Sequence, residues 1–97
     1  MLTREDVLQI LRENKDRFAE KYGVTKIGLF GSFARNEATE ESDVDVCVET
    51  AGPAPFVATH LKEEFEAMFQ RSVNVLQPHQ YLRPLLLRRL EREVIYV

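Results

Sequence analysis

The sequence is poor in the residues that define several protein classes. It has one cysteine, Cys47, and no tryptophan. A single thiol cannot form an internal disulfide or a zinc site built on cysteines, and it fits a reducing compartment. No apolar run approaches the ~20 residues of a membrane-spanning helix. The start, Met1-Leu2-Thr3-Arg4-Glu5-Asp6, has acids where a secretory leader has a basic start and an apolar run. Repeats and low-complexity tracts are missing. The expectation is a soluble, cytoplasmic protein with no membrane contact. Positive charge is also scarce, with 13 basic residues against 16 acidic ones and a net charge of −3. That balance argues against direct nucleic-acid binding, because neutralising phosphates needs a basic face. The deficit is uneven. Residues 1–70 carry 8 basic and 14 acidic groups, whereas residues 71–97 carry 5 and 2. The five are all arginines: Arg71, Arg83, Arg88, Arg89 and Arg92.

What is present fills one small domain. With 97 residues, the chain holds one core and no separate recognition domain, so residues 1–97 are expected to form a single unit. Thr3 with Asp6 resembles a capping box, and Val7, Leu8, Leu11, Phe18 and Tyr22 recur at helical spacing. A helix over 4–22, closed by Gly23, follows. Residues 24–30 are β-branched and apolar and read as a strand. Gly31-Ser32 comes next, and Phe33 to Asn36 can open a short helix before a polar loop over 37–42. Residues 43–48 alternate strictly, which puts Val44, Val46 and Val48 on one face of a strand and Asp43, Asp45 and Cys47 on the other. Beyond the breaker Ala51-Gly52-Pro53-Ala54-Pro55, the residues Phe56, Leu61, Phe65, Met68 and Phe69 fit a second amphipathic helix. A strand over 72–76, a helix opened by Pro84 and running to Glu93, and a short strand over 94–97 complete the chain. This order is a mixed α/β (α+β) domain with helices packed on a small mixed sheet.

The chemistry concentrates between Gly31 and Asp45. A strand ends in a Gly-Ser turn, a short helix follows, and after ten intervening residues, 33–42, a strand begins with two carboxylates on one face. Glycine lets backbone approach a phosphate closely, and N–H groups at a helix start with the Ser32 hydroxyl suit an anion. Asp43 and Asp45 are about 6.6 Å apart along a strand, close enough to converge on one hard cation or a pair. Mg²⁺ takes a few carboxylates together with substrate phosphates, and two such ions can clamp an in-line phosphoryl displacement. Alone, a Gly-Ser pair is most often a turn and an Asp-x-Asp strand a solvated face. Together, in this order, they point to nucleotidyl transfer.

The run Gly31-Ser32-Phe33-Ala34-Arg35, followed by Asp43-Val44-Asp45, resembles the signature of the nucleotidyltransferase superfamily related to DNA polymerase beta. It is most similar to the short prokaryotic members called minimal nucleotidyltransferases, and the similarity spans nearly the whole chain. The resemblance implies that Gly31 and Ser32 hold the triphosphate of ATP and that Asp43 and Asp45 bind Mg²⁺, with two ions expected. Arg35 would orient the loop or a phosphate, or pair with nearby acids as a surface arginine. It also implies transfer of AMP to a hydroxyl with release of pyrophosphate. Such proteins are typically antitoxins encoded beside a helical HEPN toxin, and the acceptor is a tyrosine of that toxin.

One position departs from the family pattern. A third carboxylate is expected on the next strand, and the matching segment here is Val73-Asn74-Val75-Leu76. Asn74 is nearly isosteric with aspartate but cannot act as a base. Either the enzyme is slow, or Glu49 or Glu66 substitutes, or the domain neutralises its partner by binding alone. A small-molecule-modifying subunit is a weaker third reading, because no second domain is there to hold such a substrate. His60 is expected to be structural or exposed, His79 solvated, and Cys47 a partly buried thiol. Arg88, Arg89 and Arg92 form either a solvated face or a docking surface for an acidic partner. The terminal strand can finish its own sheet or pair across a dimer, which leaves homo- and hetero-oligomers open.

Overall fold

Thr3 sets the first helix in place. Its hydroxyl accepts the Asp6 N–H at 3.1 Å, and Asp6 Oδ2 accepts the Thr3 N–H at 3.0 Å. The structure, a computed structural model, describes residues 2–52, 54–77 and 84–97. Helix α1 spans Arg4–Tyr22 and ends where Gly23 turns left-handed at φ 71°. Strand β1 (Val24–Phe30) runs straight into α2 (Gly31–Ala34). Strand β2 (Val44–Thr50), helix α3 (Val57–Phe69), strand β3 (Val73–Leu76), helix α4 (Pro84–Glu93) and strand β4 (Ile95–Tyr96) follow. His79 and Arg83 lie outside the described residues.

The strands form one mixed sheet in the order β3-β2-β1-β4. β1 is antiparallel to β2 and to β4, whereas β2 and β3 are parallel. A parallel pair needs a long crossover, and α3 supplies it. The period-two pattern of β2 sorts the two faces. Ile27, Leu29, Val44, Val46, Val48 and Val73 are buried with Val7, Leu11 and Phe18 of α1 and Leu61 and Phe65 of α3. The Phe18 and Phe65 rings meet edge-on at 5.3 Å. The other face carries Phe30, Asp45 and Asn74 in one row and Gly28, Cys47 and Leu76 in the next. Leu90 of α4 is buried, and a cavity against Lys26 and Glu49 of the sheet is lined by Leu87, Leu90 and Tyr96. Gly28 is required here, because a Cβ would lie 2.5 Å from Val94 Cγ2 and 2.9 Å from Tyr96 Cδ1.

Four expectations shift. α2 opens at Gly31 rather than Phe33, because the positive φ of Gly31 (74°) turns the chain from strand to helix with no linker. β2 begins at Val44, leaving Asp43 just before the strand. Phe56 is 72% exposed, and the buried row of α3 is Val57, Leu61, Phe65 and Phe69, each four residues from the next. Cys47 is fully buried rather than partly so, and burial pushes its thiol up to about 11. The terminal strand finishes its own sheet by pairing with β1. His60 is exposed and stacks on Tyr22 at 6.0 Å.

β3 is a sheet edge, and α3 blunts it. Glu66 Oε2 accepts the Val73 N–H at 3.1 Å, while Lys62 Nζ donates to the Val73 carbonyl at 2.8 Å and to Glu66 at 3.1 Å. These bonds close a backbone position that would otherwise invite strand addition. The Val73 N–H, and then Lys62, hold the Glu66 carboxyl below its ordinary value of 4.5. A carboxyl lowered in this way stabilises the fold above its unfolded pKa, and the contribution fades as pH falls through the folded one. Glu66→Gln is therefore expected to melt below wild type at pH 7. The gap should close under acid conditions, as thermal melts across pH would show.

Candidate functional site

Parallel pairing sets Asn74 of β3 beside Asp45 of β2. The Asn74 amide donates to Asp45 Oδ1 at 2.9 Å and reaches Asp43 Oδ2 at 3.5 Å. Asn74, the residue expected at the third-carboxylate position, therefore meets both aspartates. Burial, foremost, raises the Asp45 carboxyl above its ordinary 3.8, and the Asp43 charge adds to it. The Asn74 hydrogen bond and the more distant Arg35 oppose the rise.

The turn joins the same cluster. At Gly31 a Cβ would fall on the Asp45 carboxylate, so this position needs glycine for space as well as for its positive φ. The neighbouring Ser32 hydroxyl makes no hydrogen bond to the described residues. Arg35 ends α2 and pairs with Glu37 at 3.4 Å and with Glu93 of α4 at 3.1 Å. A cavity of about 160 Å³ opens beside Gly31, walled by Phe30, Leu76 and Leu90 and rimmed by Arg35, Arg89 and Glu93.

Neither glutamate considered as a substitute takes the third place. Glu49 lies four residues along β2 from Asp45, about 13 Å by strand rise, and has Lys26 at 3.7 Å. Glu66 is committed to Val73 and Lys62. The sequence reading missed Arg71. Its guanidinium donates to the Thr39 and Ser42 carbonyls at 3.3 and 3.0 Å and lies 5.2 Å from the centre of the Phe33 ring. It thus ties the polar loop to α2 and fixes the approach to Asp43. A contact across some thirty residues leaves no local signal in the sequence.

Among the described residues, no group of three His, Cys, Asp or Glu side chains is placed to hold a metal. Two carboxylates and an amide still make a hard, all-oxygen donor set once the Asn74 amide is turned about. That set fits Mg²⁺ with water and substrate phosphate as its remaining ligands.

The sequence model of the family described as "Nucleotidyltransferase domain" matches residues 11–97. The chain belongs to that family. The protein adenylyltransferase MntA of Thermococcus cleftensis is 37% identical to this nucleotidyltransferase over 98 residues, covering 100% of this chain and 98% of the relative. A solved structure described as a minimal nucleotidyltransferase superposes with a TM-score of 0.77 at 29% identity, covering 97% of this chain and 95% of its own. A toxin–antitoxin crystal structure with AMP-PNP superposes with a TM-score of 0.70 at 18% identity, covering 98% of this chain and 72% of that one. At that identity the likeness is one of fold. The mixed sheet and its helices thus form the fold the resemblance implied.

Proposed function

We propose that this nucleotidyltransferase transfers AMP from Mg-ATP to a hydroxyl of a partner protein, as the antitoxin of a HEPN/MNT toxin–antitoxin pair in the cytoplasm. The observation that carries the reading is the packing of Gly31, in the Gly-Ser turn, against the Asp45 carboxylate, with Asn74 bridging Asp45 and Asp43. The name of the Thermococcus relative supports the adenylyl group, and the AMP-PNP complex of similar fold supports the toxin partner.

The chain's own residues divide the work. Gly31 brings backbone close to the triphosphate, and the Ser32 hydroxyl donates to a phosphate oxygen. Asp43 and Asp45 would hold Mg²⁺, which when bound would supply charge neutralisation at the phosphates. Asn74 orients the two carboxylates. A tyrosine hydroxyl of the toxin attacks the α-phosphorus, an O–P bond forms, and the bond to the β-phosphate oxygen breaks as pyrophosphate leaves. Positioning and electrostatics carry most of such a reaction. Asn74 offers no base, so the hydroxyl proton leaves to solvent and turnover is slow.

Calorimetric titration with Mg-ATP tests this directly. Wild type is expected to bind, and the double variant Asp43→Ala, Asp45→Ala to give no heat. Equal binding by both, or none by wild type, contradicts the proposal. Asn74 also favours a second reading, in which the domain neutralises its partner by occlusion. Neutralisation in cells that survives Ser32→Ala combined with Asp45→Ala would select it.

A further inference from the structure

The nucleotide reading leaves a charge problem. ATP brings a triphosphate to a site already holding Asp43 and Asp45, and together they carry more negative charge than a bound Mg²⁺ offsets. α2 is four residues long, too short for its dipole to be the main counter-charge. The cavity beside Gly31 supplies what the turn lacks. Two guanidinium groups, Arg35 and Arg89, rim it, and Glu93 stands between them. Glu93 Oε2 takes Arg35 at 3.1 Å and Glu93 Oε1 takes Arg89 at 3.2 Å. Arg89 comes from α4, remote in sequence from the Gly-Ser turn, and its side chain is 64% exposed.

From this arrangement we infer that Arg89 is a phosphate-binding residue of the nucleotide site, parked on Glu93 until the triphosphate arrives. The inference rests on the nucleotide reading above. An exposed i,i+4 ion pair contributes little to the fold, so exchanging it is cheap. A guanidinium on phosphate makes paired, charge-assisted hydrogen bonds, the stronger partnership. Phe30, Leu76 and Leu90 form an apolar wall behind that rim. Arg89 would then grip the outer phosphates, which depart as pyrophosphate, while Asp43 and Asp45 address the α-phosphate. Glu93 acts as the resting counter-ion, keeping two arginines extended at the cavity rim.

Binding of Mg-ATP, Mg-pyrophosphate and AMP to wild type, Arg89→Ala and Glu93→Gln separates the possibilities. Arg89→Ala is expected to weaken Mg-ATP and Mg-pyrophosphate each by roughly tenfold, the loss of a hydrogen-bonded charge, and to leave AMP unchanged. Glu93→Gln, which frees both guanidinium groups, is expected to tighten Mg-ATP. An Arg89→Ala variant that binds Mg-ATP like wild type, or that loses ATP and AMP in equal measure, overturns the assignment. Wild type that binds no Mg-ATP overturns the nucleotide reading itself, and the assignment with it.

Discussion

Asp45→Asn is expected to lower adenylyl transfer by roughly a thousandfold and, in the same protein, to raise the melting temperature. On the proposed function, the first effect is the loss of a carboxylate that would hold the metal, worth several kcal/mol at the transition state. The second follows from the resting site. Burial and the neighbouring Asp43 raise the Asp45 pKa above 3.8. The folded protein therefore holds this proton more tightly than the unfolded chain does. Stability from the group is present at low pH and lost as pH rises through the folded pKa. At pH 7 the ionised Asp45 strains the fold, and asparagine relieves it while keeping an acceptor for Asn74. Solvent screening at this half-exposed group keeps the gain in melting temperature small. The advantage should shrink as pH falls and wild-type Asp45 becomes protonated. Thermal melts from pH 4 to 8 read it, and a variant that melts below wild type at pH 7 contradicts the electrostatic account.

Asn74→Asp should act in the opposite direction on both counts. It places a third carboxylate where the amide now meets Asp45 at 2.9 Å and Asp43 at 3.5 Å. A base within reach of the attacking hydroxyl is worth roughly 10²–10⁴-fold in rate. The same change removes the donor that now bridges two carboxylates and adds a like charge. The metal-free variant is therefore expected to melt lower than wild type, and Mg²⁺ to restore it. Unchanged turnover, with no effect of Mg²⁺ on the melt, would show that Asn74 does not occupy the third position.

Much of this was legible along the chain because the signals are local. Thr3, Asp6 and Gly23 mark α1 by capping chemistry, and strict alternation gives the faces of β2. Gly31, Ser32, Asp43 and Asp45 lie close in sequence, so their spacing alone predicts that they gather. What stayed hidden depends on elements that meet only in the folded sheet. Cys47 is buried, with Tyr96 of the C-terminal strand in hydrogen-bond reach, and Phe56 is apolar enough for a core although the stripe of α3 falls on Val57. Glu66 reads as a spare carboxylate, yet it closes the β3 edge. Arg71 and Arg89 read as part of a basic tail. In the fold, one braces the loop before Asp43 and the other rims the cavity beside Gly31.

The central claim is that the turn and the aspartate pair move AMP onto another protein. Its most direct test is transfer of label from ATP to the purified protein encoded by the adjacent gene, with the radioactive phosphorus at either the α or the γ position. The account predicts Mg²⁺-dependent labelling of that partner from α-labelled ATP alone, release of pyrophosphate, and no labelling with Asp43→Ala, Asp45→Ala. Labelling from the γ position, or α-labelling that survives loss of both aspartates, would contradict it.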